Sequence, residues 1–280
     1  MKYGIWRHEN ALGNSAEQTV NLNDFIIKSG DDDPHIYVET EFQKDFALCI
    51  QGITEDRVHF FDQSLPLAQL NKNTHLVKDI YMPDVYFGGG KCYPSTWQYL
   101  ADIEHKLIFP EDTYENKHDL PKGAIVMSIR ESGTYNKRVD GSMCEPNRFV
   151  NPNTFFELSK ILANEGYTVI RIGDKNQKPM PDHKNIFDFA KVENRRMLDD
   201  LFLINHAAVF LSCDSGIWPI SGGLKTPLIL SNVTSVFNSN PPKMSIVDWL
   251  PKETSKVLFK SNGREDNSLE ELLENVRNFL

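Results

Sequence analysis

Val209-Phe210-Leu211-Ser212-Cys213-Asp214-Ser215-Gly216-Ile217-Trp218-Pro219 joins an apolar run to a small polar, glycine-containing turn and then to a stretch of helical character. Strand, turn and helix in that order make up the repeating unit of an α/β protein. The same order recurs around it. Ala124–Ile129, Thr168–Ile172, Ile186–Phe189 and Leu228–Leu230 are further short apolar runs, and amphipathic stretches separate most of them. Asn153–Glu165 can turn Phe156, Leu158, Ile161 and Leu162 toward a sheet and is stopped by Gly166; Arg196–His206 is a second such helix, and Leu269–Leu280 closes the chain as a third. Apolar runs interleaved with helices predict a doubly wound parallel sheet.

The first part of the chain follows the same plan less clearly. Lys2–Trp6, Ile36–Glu39 and Val58–Asp62 read as strands, and Ser15–Lys28, Glu41–Ile50 and Thr96–Lys106 as helices, whereas Leu65–Tyr93 has no decisive pattern. Between Phe109 and Lys122 the sequence FPEDTYENKHDLPK is polar, aperiodic and bounded by prolines, as a linker would be. The expected division is residues 1–118 and 119–280, each long enough to bury a core of its own.

Composition narrows the function. The 280 residues carry 30 Lys+Arg against 39 Asp+Glu, a net charge of −9, and 40% are hydrophobic, which excludes disorder as the main state. A nucleic-acid surface needs clustered positive charge, and no basic run exceeds Arg195-Arg196, so nucleic acid is not an expected partner. The N-terminus becomes charged before a signal-sequence core could form, and no apolar run approaches about 18 residues, so a cytoplasmic chain without a transmembrane segment is expected. Cys49, Cys92, Cys144 and Cys213 are widely spaced, with neither a CxxC pair nor a Cys/His cluster. They read as free thiols, and no metal site is expected.

Ligands of open parallel sheets bind beyond the carboxyl ends of the strands, where helix N-termini offer unpaired N–H groups to anions. Ser215 and the Gly216 backbone fit a phosphate there, with Asp214 able to hold a hydroxyl or orient the loop; the alternative is a helix cap. Arg130 ends the run Val126–Ile129 and could grip a diphosphate in bidentate fashion, or else pair with Glu131. Arg171, ahead of the Gly173-Asp174 turn, lies inside its strand, which favours a structural role. Lys137, Arg138 and Arg148 add to the positive charge after Arg130, and local basic residues in an acidic chain suit a small anionic ligand.

SIRESGTYNKRVDGSMCEPNRFVNPNTFFELSKILANEGYTVIRIGD, followed by NIFDFA, RRMLDDLFLINHAAVFLSCDSG and TPLILSN, resembles the nucleotide-sugar-binding half of a family of bacterial glycosyltransferases of the GT-B type. More distantly it is similar to heptosyltransferases and fucosyltransferases. The resemblance spans roughly residues 125–232. It implies two Rossmann-like α/β domains facing a cleft, with residues 1–118 on the acceptor side and 119–280 binding the donor. A nucleoside diphosphate would lie against Arg130, Arg171, Gly173 and the Asp214-Ser215-Gly216 turn, with Asp188 and Phe189 near its base or ribose.

A weaker echo covers Tyr3-Gly4-Ile5-Trp6 and Leu12-Gly13-Asn14-Ser15-Ala16, which resemble the first strand, glycine turn and helix start of heptosyltransferase-like acceptor domains. There an acidic residue after the glycine can serve as base; this chain has Asn14, so a base must come from elsewhere, with His8, Glu9 and Glu17 as candidates. Gly88-Gly89-Gly90-Lys91 lacks the spacing of a phosphate loop, Asp31-Asp32-Asp33 reads as a solvated turn, and no GxSxG elbow supports a hydrolase. The expectation is metal-independent glycosyl transfer from a nucleoside-diphosphate sugar, needing no cofactor, to a glycan, lipid-linked or protein acceptor. The alternatives are an epimerase or hydrolase of the same donor, and a non-catalytic nucleotide-binding module.

Overall fold

The computed structural model describes residues 2–4, 12–60, 80–81, 105–131, 149–213, 215–233, 250–261 and 265–280. Its strands form two sheets, both wholly parallel. In the first, β3 (Val58–Phe60), β2 (His35–Val38), β1 (Lys2–Gly4) and β4 (Ile80–Tyr81) lie side by side in that order. In the second the order is β10 (Ser255–Phe259), β9 (Leu228–Val233), β8 (Val209–Cys213), β5 (Ile125–Ser128), β6 (Val169–Ile172), β7 (Ile186–Asp188). Two separate sheets bear out the doubly wound α/β reading.

The inner strands of the second sheet are buried along their whole length, because helices cover both faces of it. Side chains alternate between the faces. Ile125, Met127, Val209 and Leu211 pack with Phe155, Leu158 and Leu162 of α3 (Pro152–Asn164) and with Leu272 and Val276 of α6 (Leu269–Phe279). Asn151 caps the start of α3 through Asn153 N, Pro152 opens its first turn, and Gly166 at φ 100° ends it as anticipated.

Val126, Ile170, Phe210 and Leu230 face the opposite way, into a cluster that extends beyond the second sheet. It takes in Leu201 and Phe202 of α4 (Met197–Asn205), Ile220 of α5 (Trp218–Leu224), Ala16 and Val20 of α1 (Leu12–Ser29), and Phe46 and Ala47 of α2 (Glu41–Ala47). Apolar packing therefore runs without a break across the expected 118/119 division. Residues 105–109 are strung along α1: Asn23 Nδ2 donates to His105 O and Lys106 O, and Asp24 Oδ1 accepts from His105 N at 3.0 Å.

Several boundaries differ from expectation for local reasons. Helix α1 starts at Leu12, one turn before the expected Ser15, so Leu12-Gly13-Asn14 is helix rather than turn. Of the helix expected over Thr96–Lys106, residues 96–104 lie outside the described residues, and His105 and Lys106 are not helical, their backbone being bonded by Asn23 and Asp24. Strand β9 runs three residues past Leu230, and β10 went unread in the sequence because SKVLF is half polar, as suits an edge strand.

Candidate functional site

In the second sheet β5 is flanked by β6 on one side and β8 on the other, so the strand order reverses between β5 and β8. The carboxyl ends of those two strands define the crevice where open α/β sheets take their ligands. Ser128 ends β5, and Ser212 and Cys213 end β8. Ser215, in the turn that follows, has its Oγ 3.0 Å from Ser212 Oγ and 3.4 Å from Ser128 Oγ, so three hydroxyls meet over the reversal. The Arg130 backbone N–H donates to Cys213 Sγ at 2.9 Å, which ties the exit of β5 to the end of β8 and holds Arg130 at the mouth, its guanidinium 5.7 Å from the Phe149 ring.

The first half of the chain reaches this crevice through glycine. A Cβ built on Gly216 would stand 2.7 Å from Gly13 N and 3.2 Å from Leu12 Cβ, and one on Gly13 would stand 3.2 Å from Gly216 Cα. The first turn of α1 thus lies backbone against backbone on the turn after β8. Seven residues further along both segments, Gly223 lets α5 approach Val20 and Leu107, and Leu107 N donates to Gly223 O at 2.8 Å. Helix α1 is 18 residues long and has no acidic residue in its first turn, nor has α5. The positive ends of the two helices converge on one point.

The other residues singled out in the sequence fall differently. Asp214, His8 and Glu9 lie outside the described residues, and Glu17 stands on α1, one turn into the helix. Arg171 is fully buried and turned to structure: Nε and Nη2 donate to the Asp188 carboxylate at 2.6–2.9 Å and Nη1 donates to Lys178 O at 2.5 Å, with Glu131 Oε1 3.7 Å away. Asp188 also accepts from Met180 N, and Glu131 from Lys178 N. Arg171 has the structural role that its place inside the strand favours. Arg171 and Asp188 are spent on each other and on the loop after β6, and Glu131 faces Arg171 rather than Arg130. Gly173, at φ 126°, shapes that loop, with its carbonyl accepting from Arg195 Nη2 at 2.6 Å.

Phe189 also departs from its expected place beside a base. It is buried, with the Arg195 guanidinium 5.7 Å from its ring and the His118 ring 5.5 Å away edge-on, so no open face is left for stacking. Arg195, which the sequence marks only as half of a basic pair, links three elements: the Gly173 carbonyl, the Phe189 ring and Asp200 of α4 at 3.1 Å. Burial pushes the Asp200 carboxyl up to about 7, against the pull of Arg195 and with the neighbouring Asp199 adding to the rise.

A second seam lies where α2 meets α4. Asp45 Oδ2 accepts from Leu198 N at 3.0 Å, capping α4 from the other half of the chain. Burial raises the Asp45 carboxyl above its ordinary range, opposed by that bond and by Arg196 and aided by Asp199 and Glu41. Tyr114 OH donates to Asp199 Oδ1 at 2.9 Å, and Asp199 Oδ2 accepts from Arg196 N at 2.7 Å. A cavity of about 1000 Å³ opens between α2, residues 108–113 and the start of α4. Among the described residues, no three His, Cys, Asp or Glu side chains are grouped as metal ligands, and no helix is long and apolar enough to cross a membrane.

Solved structures similar to this one include glycosyltransferases. E. coli ADP-heptose lps heptosyltransferase II superposes with a TM-score of 0.53 at 13% identity over 99% of this chain and 98% of its own. E. coli heptosyltransferase WaaC with ADP gives 0.55 at 7% identity over 100% and 99%. The fold is GT-B. A glycosyl transferase of family 9 from Veillonella parvula DSM 2008 agrees, at 0.54 and 11% identity over 99% of this chain and 96% of that one. No family model matches the sequence, and neither does any curated protein. The GT-B resemblance drawn from residues 125–232 thus holds for the fold of the whole length, at identities where fold alone is carried over.

Proposed function

We propose that this GT-B chain is a glycosyltransferase that moves a sugar from a nucleoside-diphosphate sugar to a hydroxyl acceptor. The observation that carries the reading is the backbone contact of Gly13 with Gly216 at the strand-order reversal. It brings the positive end of α1, from one half, onto the phosphate-sized turn of the other, where backbone and three hydroxyls meet among the described residues. Oriented amides, three hydroxyls and Arg130 suit a diphosphate. Neighbours that are heptosyltransferases, one of them holding ADP, support the same reading.

Chemically, the acceptor oxygen attacks the anomeric carbon, the bond from that carbon to the phosphate oxygen breaks, and the electron pair leaves on the nucleoside diphosphate. Charge grows on the leaving phosphate. In this reading Arg130 and the amides at the start of α1 and at Ser215–Gly216 stabilise it, which is the task a divalent cation performs elsewhere. The acceptor proton passes to a base, and Glu17, His8 and Glu9 are the candidates in the first half. Asn14 cannot fill that role, because an amide does not take up a proton at working pH.

The test is calorimetric titration of the protein with UDP, GDP, ADP and CMP, with Arg130→Ala in parallel. One diphosphate is expected to bind, and to bind about tenfold or more weakly to the variant, as befits loss of a charge-assisted bond. No binding of any of the four refutes the donor site. Binding without turnover of the matching sugar donor across an acceptor panel would favour the non-catalytic module instead.

A further inference from the structure

The cavity at the α2–α4 seam is walled by both halves of the chain and by residues 108–113, and it plays no part in the donor chemistry proposed above. Its lining combines an apolar body with an excess of acid. Phe42, Leu48, Ile53 and Met197 give the apolar part, and Ile108 is exposed over 44% of its surface. Three cations reach the cavity, and each already has an acidic neighbour: Lys44 with Glu55 at 2.5 Å, Arg195 with Asp200 at 3.1 Å, and Arg196 with Asp199 at 4.0 Å. Glu41 and Asp112 add carboxylates that form no ion pair among the described residues. Asp45 is the telling group. It is 9% exposed, it lines the cavity, and only its Oδ2 is used, by Leu198 N; Oδ1 has no hydrogen bond or ion pair among the described residues.

We propose that this cavity binds an organic cation, an ammonium group on a short apolar body, with the ammonium donating to Asp45 Oδ1 and the body lying on Leu48, Ile53 and Ile108. A buried carboxylate with an oxygen to spare carries a desolvation cost that an N–H donor bearing positive charge offsets better than a neutral one. An alkyl chain removes apolar wall from water at the same time. An anion is disfavoured, because it would have to draw Lys44 or Arg195 away from Glu55 or Asp200. Since Asp45 caps α4 from α2, an occupant bonded to it bears on the joint between the halves, and so selects for the arrangement of α2 and α4 described here.

The experiment uses the full chain and two probes of equal length and opposite charge, hexylammonium and hexanoate, read by thermal shift and calorimetry at fixed ionic strength. Hexylammonium is expected to raise the melting temperature and hexanoate to leave it unchanged. Asp45→Asn keeps an acceptor for Leu198 N, so the cap and the fold are retained, and it should weaken hexylammonium about tenfold through loss of the charge-assisted bond. Glu41→Gln, an exposed change at the rim, should weaken it by less and serves if Asp45→Asn does not fold. Glu157→Gln, on α3, should not change it. An equal response to hexanoate, no response to either probe, or a hexylammonium response that survives both Asp45→Asn and Glu41→Gln would overturn the proposal. Nucleotide titration of the same samples keeps the donor site separate, since neither outcome there alters these readings.

Discussion

Replacing Gly216 by alanine tests the contact on which the donor site rests. The added methyl would lie 2.7 Å from Gly13 N, about 0.7 Å inside the shortest ordinary van der Waals separation of 3.4 Å, and 3.2 Å from Leu12 Cβ. The nearest atom belongs to backbone inside the first turn of an 18-residue helix, so no rotamer change relieves the clash, and α1 must move away from the turn after β8. Overpacking of this kind costs about 1–3 kcal/mol, and for a chain of this size that is a fall in melting temperature of roughly 2–5 °C. A second effect follows from the same displacement: with the end of α1 withdrawn from the anion, nucleotide affinity should fall beyond what the stability change accounts for. Gly223→Ala separates the two effects. Its methyl would lie 2.8 Å from Leu107 Cδ1 and Val20 Cγ2, which are side-chain rather than backbone atoms, seven residues further along the same contact. It should lower stability by a smaller amount and leave nucleotide affinity close to that of the parent. The assays are denaturant unfolding for stability and calorimetric nucleotide titration for affinity. A Gly216→Ala protein that unfolds and binds like the parent, or a Gly223→Ala protein that loses more nucleotide affinity than Gly216→Ala, would refute the reasoning.

Arg171→Met should destabilise by about 3–5 kcal/mol, since it strands Asp188 and Glu131 without their cation in a region shut off from water; an urea midpoint within error of the parent would contradict the structural role of Arg171. Asp200→Asn should flatten the pH dependence of stability. In the folded chain the Asp200 carboxyl titrates near 7 against an ordinary 3.8, so the folded state holds the extra proton between about pH 4 and 7, and the stability this group contributes is full below that window and lost as pH rises through it. The amide still offers Arg195 an acceptor, and a parent-like pH profile in the variant would show that Asp200 does not titrate there. Ser268→Ala removes the side-chain cap on Glu271 N at the start of α6 and should cost about 1 kcal/mol, measured by the shift in urea midpoint.

The fold was legible where burial is continuous. Runs such as Val209–Cys213 and Leu228–Val233 are inner strands covered on both faces, so their apolar character has no competing explanation. At the edges it was not: SKVLF of β10 needs no apolar residue on its open side and therefore carries no pattern. The Ser215-Gly216 turn could be found because small residues between a strand and a helix have few other uses. The same type of signal misled at Gly13, where glycine serves close approach to Gly216 rather than a turn, a distinction that needs both partners in view. Arg171 was placed with the ligand by resemblance, although its position inside a strand had already favoured structure, and its burial with Asp188 and Glu131 shows why. Arg195 and Asp45 act across 22 and 153 residues, on Gly173 and Leu198, and no local pattern announces a bond of that span.

The apolar cluster that passes from Phe46 and Val20 to Leu201 and Ile220 bears on how the chain comes apart. Two units joined by a bare linker would melt in separate steps, each with its own midpoint, and could be expressed singly. Here the surface of α5 that a free second half would show to water is the one that accepts α1, and α4 would lose the carboxylate that terminates it. Unfolding should therefore proceed as one cooperative transition, and a chain cut at 118/119 should yield fragments that are unstable apart and recover their structure only when mixed.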